Sequence, residues 1–249
     1  MDGMNGGPPE PKIVTVASAK GGVGKTTLSV NLAGALGGVL VDLDWEVAGA
    51  TNLLGQDPRR PRRHTILDHL ERGPDGSAPR PRRERFRPDL VASHVDLAAH
   101  AIDSGTVADC LSTWAPLWGR PYVVVDTHPG LNPLRDGAIA AAHLVVVPVL
   151  LSENELDGLD YLLDELAAHA VMVVPNRVSG RAVERRMARR LLEIADGRAL
   201  VGPLVSEYRW LPSRRRRMTI TQDPNPGAGP ARAAAELRDL ARAVEANVG

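Results

Sequence analysis

The chain has 249 residues and one cysteine, Cys110, which excludes an intrachain disulfide and any metal cluster built from cysteines alone. That scarcity fits a reducing compartment. No run of about 18 or more apolar residues occurs, so nothing reads as a membrane span. The opening MDGMNGGPPEP lacks the charged and apolar regions of a secretory signal, and the expectation is a soluble, cytoplasmic protein. Lysine is nearly missing: of 30 basic residues, only Lys12, Lys20 and Lys25 are lysines and the other 27 are arginines. An excess of either charge is missing too, since 30 acidic residues balance the 30 basic ones and exclude a uniformly basic, histone-like protein. Neutrality conceals unevenness, however: the net charge is +4 over residues 57–89, −9 over 90–176 and +8 over 177–217. A local basic face remains open.

What is present is a chain that is 43% hydrophobic, enough to bury a sizeable core. Residues 1–11 are rich in Gly and Pro and read as a mobile tail, followed by a single domain over 12–249. Short β-branched runs at 13–18, 38–43, 122–125, 144–149 and 171–174 alternate with helical patterns at 26–36, 153–168 and 181–194. Strands alternating with helices predict an α/β fold, a mainly parallel twisted sheet with helices on both faces. Residues 57–88 break the pattern with six prolines and ten arginines around one short helical piece at 66–70. Such a connection is either a functional excursion or a flexible insert.

The strongest chemical signal is Ala19-Lys20-Gly21-Gly22-Val23-Gly24-Lys25-Thr26-Thr27, between the first strand and the first helix. Glycines let the backbone curl so that successive N–H groups face phosphate oxygens, and the helix N-terminus adds partial positive charge. In this phosphate-binding loop Lys25 bridges the β- and γ-phosphates and the Thr26 hydroxyl ligates Mg²⁺, so ATP and Mg²⁺ are the expected cofactors. Two aspartates, Asp42 and Asp44, close the second strand, where alternation points both side chains the same way. Asp126 ends the run 122–125 and suits the water shell of Mg²⁺, which uses few protein carboxylates.

The loop departs from the common pattern by placing Ala19 where a glycine is usual and by adding Lys20, and in this it resembles the deviant Walker A motif of the ParA/MinD family of dimerising ATPases. The resemblance covers roughly residues 12–205. It implies an ATP-bound homodimer in which Lys20 reaches the partner's phosphates, and it implies that Asp44 positions the attacking water. Asp42 then either caps nearby N–H groups or joins the metal site with Thr26 and Asp126. The resemblance also implies that Asn176, Arg177 and Pro203 lie at the adenine base. Trp45-Glu46 stands where the family often has Pro-Gln, and His128 stands where it commonly has Pro. His128 could sense the γ-phosphate, sit at the dimer seam or be a neutral substitution.

Arginines supply the expected output surface. Arg209 and Arg214 to Arg217 form the densest cluster, and the preceding helix adds Arg181, Arg185, Arg186, Arg189 and Arg190 at spacings that build adjoining rows. Such a surface binds duplex DNA through phosphates without reading bases, unless the arginines are simply a solvated face. Among family members the pattern is most similar to the small partition ATPases, which implies a centromere-binding ParB-like adaptor that stimulates slow hydrolysis, and association with the nucleoid in the ATP state. A positioning scaffold for another cargo or a membrane site is the alternative. The Ala-rich tail 231–249 carries only Leu237, Leu240, Val244 and Val248 as larger apolar side chains, which suits packing better than a membrane anchor.

Overall fold

Valine-rich runs build the sheet, because β-branched side chains suit strands buried on both faces. The structure, a computed structural model, describes residues 10–61, 63 and 65–248, so most of the tail expected at 1–11 lies outside the described residues. The strands are β1 (Lys12–Val16), β2 (Val39–Asp42), β3 (Asp89–Val91), β4 (Tyr122–Asp126), β5 (Leu144–Val149), β6 (Val171–Pro175) and β7 (Leu200–Val201). They form one seven-stranded sheet in the order β3-β2-β4-β1-β5-β6-β7, and every pairing is parallel. The short edge strands β3 and β7 go beyond the five strands the sequence predicts.

Alternation along each strand divides the core into two layers. Val14, Val16, Leu40, Val124, Val146 and Val174 face one side, which α1 (Lys25–Ala35) and α8 (Ala228–Asn247) cover. The C-terminal helix packs rather than projects: Leu237, Leu240, Val244 and Val248 are all buried. Among the described residues no helix is long and apolar enough to cross a membrane. On the other side Ile13, Val39, Val41, Val123 and Val125 meet α3 (Ile66–Leu70), α4 (Ser104–Trp114) and α5 (Pro133–Ala140). Residues of β5 and β6 continue that layer beneath α6 (Glu153–Glu165) and α7 (Ala182–Ala195). A side chain at Gly137 of α5 would lie 2.4 Å from the Ser104 carbonyl and 2.6 Å from Val107 Cβ, so only glycine permits the close crossing of α4 and α5.

The Pro/Arg-rich segment is anchored. Ile66, Leu67 and Leu70 are buried in the core beside Leu111 and Trp114, and Arg82 exchanges backbone hydrogen bonds with Leu90 of β3 at 2.8 and 2.9 Å. Of the two alternatives, a flexible insert is therefore replaced by a packed cover over the sheet edge. Register then places the chemistry. Val16 pairs with Asp126 and Asp126 with Asp42, which brings three strand ends together on the carboxyl edge, where open α/β sheets bind their ligands.

Candidate functional site

The turn from β1 into α1 is held by glycine. Gly22 and Gly24 take φ of 81° and 97°. A Cβ at Gly24 would fall 2.3 Å from Asn176 Nδ2, because Asn176 reaches across from the end of β6 and donates to the Val23 carbonyl at 2.7 Å. Arg177 adds a bond to the Gly22 carbonyl at 3.2 Å and lies 3.6 Å from Glu207. The expected adenine-side pair thus braces the loop backbone directly.

Lys25 opens α1 and is only 6% exposed. Burial lowers the pKa of its ammonium, and Asp126, Asp44 and Glu46 oppose the shift. The three strand-end carboxylates, Asp42, Asp44 and Asp126, are each handled differently. Both oxygens of Asp42 are engaged: Oδ2 accepts from the Thr51 N–H and hydroxyl, each at 2.6 Å, and Oδ1 from the Asp44 N–H at 3.0 Å. Of its two expected roles, the capping one is the arrangement present. Burial and then the Asp126 charge raise its pKa well above the carboxylate range. Asp44 accepts from the Glu46 N–H at 3.0 Å, and burial raises its pKa too.

Asp126 is fully buried and accepts from the Ser29 hydroxyl on Oδ1 at 2.8 Å, while its Oδ2 has no partner. Burial pushes its pKa up to about 7 against the opposing Ser29 and Thr26 hydroxyls. A buried acceptor without a donor is costly, and a cation or one of its waters relieves it. Among the described residues no group of three or more His, Cys, Asp or Glu could chelate a metal. The unpartnered Asp126 oxygen suits Mg²⁺, which keeps most of its waters and takes one or two protein ligands. Thr26 and Asp126 are the residues that would hold it.

A cavity of about 400 Å³ adjoins the loop. Gly24, Thr26, Thr27, Asn176 and Arg177 form one wall, and Tyr208, Leu211, Met218, Ile220 and Leu237 form an apolar opposite wall. Pro203 does not line it; Val205 to Arg209 do. Nor does Lys20, whose Nζ donates to the Asn154 carbonyl at 2.9 Å and lies 3.6 Å from Glu155 on α6.

The basic cluster differs from the expectation of one open face. Arg214 and Arg216 both bind Asp223, at 3.2 and 2.7 Å, and Arg214 also donates to the Met218 carbonyl. Arg190 pairs with Asp157 at 2.5 Å, Arg186 approaches Glu153 at 3.9 Å, and Arg198 binds Asp160 and Asp164. The acidic row on α6 takes up these cations on α7 and just beyond it. Arg189, Arg209, Arg215 and Arg217 are exposed and make no ion pair among the described residues.

Sequence reasoning missed Ser29, Thr51 and the apolar wall. Ser29 carried a signal, as a polar residue one turn beyond Lys25 on the same helix. It also missed that His128 stacks on Trp45, with ring centroids 3.8 Å apart and planes 9° from parallel.

Comparison with known proteins agrees with this geometry. Residues 14–214 match the family described as the CobQ/CobB/MinD/ParA nucleotide binding domain. The chain is 33% identical over 201 residues to the chromosome-partitioning ATPase Soj of Thermus thermophilus, covering 77% of this chain and 73% of that one. It is 32% identical over 169 residues to the chromosome partitioning protein ParA of Caulobacter vibrioides, covering 61% of each. Among solved structures, an ATP complex of Cyanothece McdA superposes with a TM-score of 0.77 at 17% identity, over 95% of this chain and 97% of that one. The cell division protein MinD of Aquifex aeolicus gives 0.74 at 22% identity, over 94% and 97%. At such identities the structural likeness speaks for the fold alone.

Proposed function

Because the chain belongs to the CobQ/CobB/MinD/ParA nucleotide-binding family, we propose that it is a Mg²⁺-ATP-dependent dimerising ATPase that holds duplex DNA without reading its bases and partitions a plasmid or chromosome. The observation that carries this reading is the buried Lys25, within the charge influence of Asp126 and Asp44, in a loop whose Gly24, Thr26 and Thr27 line a cavity of about 400 Å³. Lys25 holds the β- and γ-phosphates, while the N–H groups of Gly21 to Thr27 surround them. Asn176, Arg177 and the apolar wall seat the base. Thr26 and Asp126 would hold Mg²⁺, which when bound with ATP neutralises phosphate oxygens. Asp44 orients the attacking water. Lys20, from the facing subunit, would meet charge on the transferring phosphate only in the dimer. That role requires it to leave its own Asn154 and Glu155, a modest cost for a half-exposed lysine.

DNA attachment falls to Arg189, Arg209, Arg215 and Arg217, whose guanidinium groups are not committed to carboxylates. Arg190, Arg214 and Arg216 would contribute only by sharing their present partners. Pairing of two such surfaces in a dimer makes attachment depend on nucleotide by avidity. A ParB-like adaptor that accelerates turnover completes the proposal, and it is suggested by the partition proteins among the relatives. The α6–α7 ion pairs also favour a second reading, an ATP-dependent positioning scaffold for another cargo that does not use DNA.

A gel shift on random duplex DNA with ATP, ADP or no nucleotide, across a salt series, separates the two. A shift seen only with ATP, falling steeply with salt and weakened by Arg189→Ala with Arg215→Ala, supports partition. Dimerisation on ATP without any shift supports the scaffold, and absence of ATP binding removes both.

A further inference from the structure

The Pro/Arg-rich segment does more than cover the sheet edge. Between it and β3 lies a cavity of about 590 Å³, larger than the one beside Lys25 and sharing no residue with it. Residues 90–92 at the sheet edge line it together with Arg60, Arg63, Arg80 and Arg82. Asp57 is the carboxylate of that lining, and it is held by the Arg59 side chain at 2.9 Å and its N–H at 3.0 Å.

At the centre stands Gln56, only 7% exposed. Its Oε1 accepts from Arg60 Nη1 and from Arg82 Nη1, both at 2.9 Å. Two like charges therefore converge on one neutral oxygen, with donor nitrogens within about 6 Å of each other. Glu84 offsets part of this charge, but it is shared by Arg82, Arg87 and Gln56. Arg80 is exposed and has no ion pair or hydrogen bond among the described residues.

Guanidinium groups converging on a concave surface are the usual seat of a phosphate, which they grip two nitrogens at a time. The volume is that of a small-molecule pocket. We propose that this cavity is a second ligand site, one that takes a phosphate-bearing small molecule of nucleotide size with its phosphates at Arg60, Arg80 and Arg82 and its body along the sheet edge at residues 90–92. A concave site with a buried amide at its centre suits a small molecule better than the convex backbone of duplex DNA.

Titration calorimetry on Lys25→Ala protein tests this with the loop site disabled, and the Arg variants separate the cavity from any residual binding at the loop. ADP is expected to bind at one equivalent, about tenfold more weakly after either Arg60→Ala or Arg80→Ala. In a background that keeps Lys25, the same two variants retain ATP binding at the loop. Arg80→Ala removes no hydrogen bond or ion pair among the described residues and is expected to leave the fold intact. The proposal is overturned by silence with ADP, by equal binding in the Arg variants, or by inorganic pyrophosphate binding as tightly as ADP. Displacement of ADP by a short random duplex overturns it too, because it would assign the surface to nucleic acid.

Discussion

His128 lies flat on Trp45, at 3.8 Å between ring centroids, and its Nε2 is 3.5 Å from Glu46 Oε1. The two rings belong to the segments that follow Asp44 and Asp126, so the stack ties together the backbones carrying two of the three carboxylates. Neither residue was read from the sequence as a partner of the other. His128→Ala is expected to slow single-turnover hydrolysis by up to about tenfold, since such a stack is worth about 0.5–1.5 kcal/mol. ATP affinity should change much less. Equal losses in affinity and rate would show instead that the stack serves binding.

Gly24→Ala should remove nucleotide binding. The new methyl group would displace Asn176 Nδ2 and break its bond to the Val23 carbonyl, at a φ of 97° that side chains rarely adopt. The combined strain is about 1–3 kcal/mol. Thermal melting and an ATP titration check it, and wild-type affinity in the variant would remove the bracing role given to Asn176.

The Asp126 carboxyl, with a pKa near 7 in place of 3.8, links protonation to stability. Between about pH 4 and pH 7 the folded chain keeps a proton that the unfolded chain has released, so ligand-free stability falls as pH rises through that window and levels off above it. Mg²⁺ with ATP relieves the buried charge, and the thermal shift it produces should therefore grow from about pH 6 to about pH 8. Asp126→Asn should flatten this dependence. A larger shift at the acidic end would count against Asp126 as the metal-side carboxylate.

Arginines in the 209–217 segment should divide into two groups. Arg216→Ala removes a bond to buried Asp223 and is expected to cost about 1–3 kcal/mol of stability. Arg215→Ala and Arg209→Ala should leave melting within about 0.5 kcal/mol of wild type while reducing the salt slope of DNA binding by about one each. Melting curves and a salt series read the two effects separately. Identical behaviour of Arg215 and Arg216 would dissolve the distinction.

Long or chemically marked elements were legible in the sequence. The loop from Ala19 to Thr27, the strands that end at Asp42 and Asp126, and helices α1, α6 and α7 follow from glycine spacing and apolar period. β3 and β7 did not, because three and two residues carry no period. Helix α4 had an unused signal in Asp103, which caps it through the Thr106 N–H at 2.9 Å, and α5 had Asn132 before Pro133. The apolar wall of the nucleotide cavity is assembled from residues 205–220 and from Leu237, which lie far from the loop in the chain, and no local pattern announces such a meeting. Charge was misleading for a related reason. A row of arginines at helical spacing looks like a free face until the element packed against it is known, and for Arg186 and Arg190 that element is α6, while Arg181, Arg185 and Arg189 make no ion pair with it.

Those pairs alter how the molecule looks from a distance. Glu153, Asp157, Asp160 and Asp164 of α6 each lie beside an arginine on α7 or just beyond it. A charge with its opposite a few ångströms away acts as a short dipole, whose field fades faster than that of a lone charge. From beyond a Debye length of about 8 Å, that flank would be electrically quiet to an approaching polyanion. Long-range guidance would then come from the exposed arginines that make no ion pair among the described residues, among them those at positions 80, 181, 185, 189, 209, 215 and 217, more than from the total arginine count.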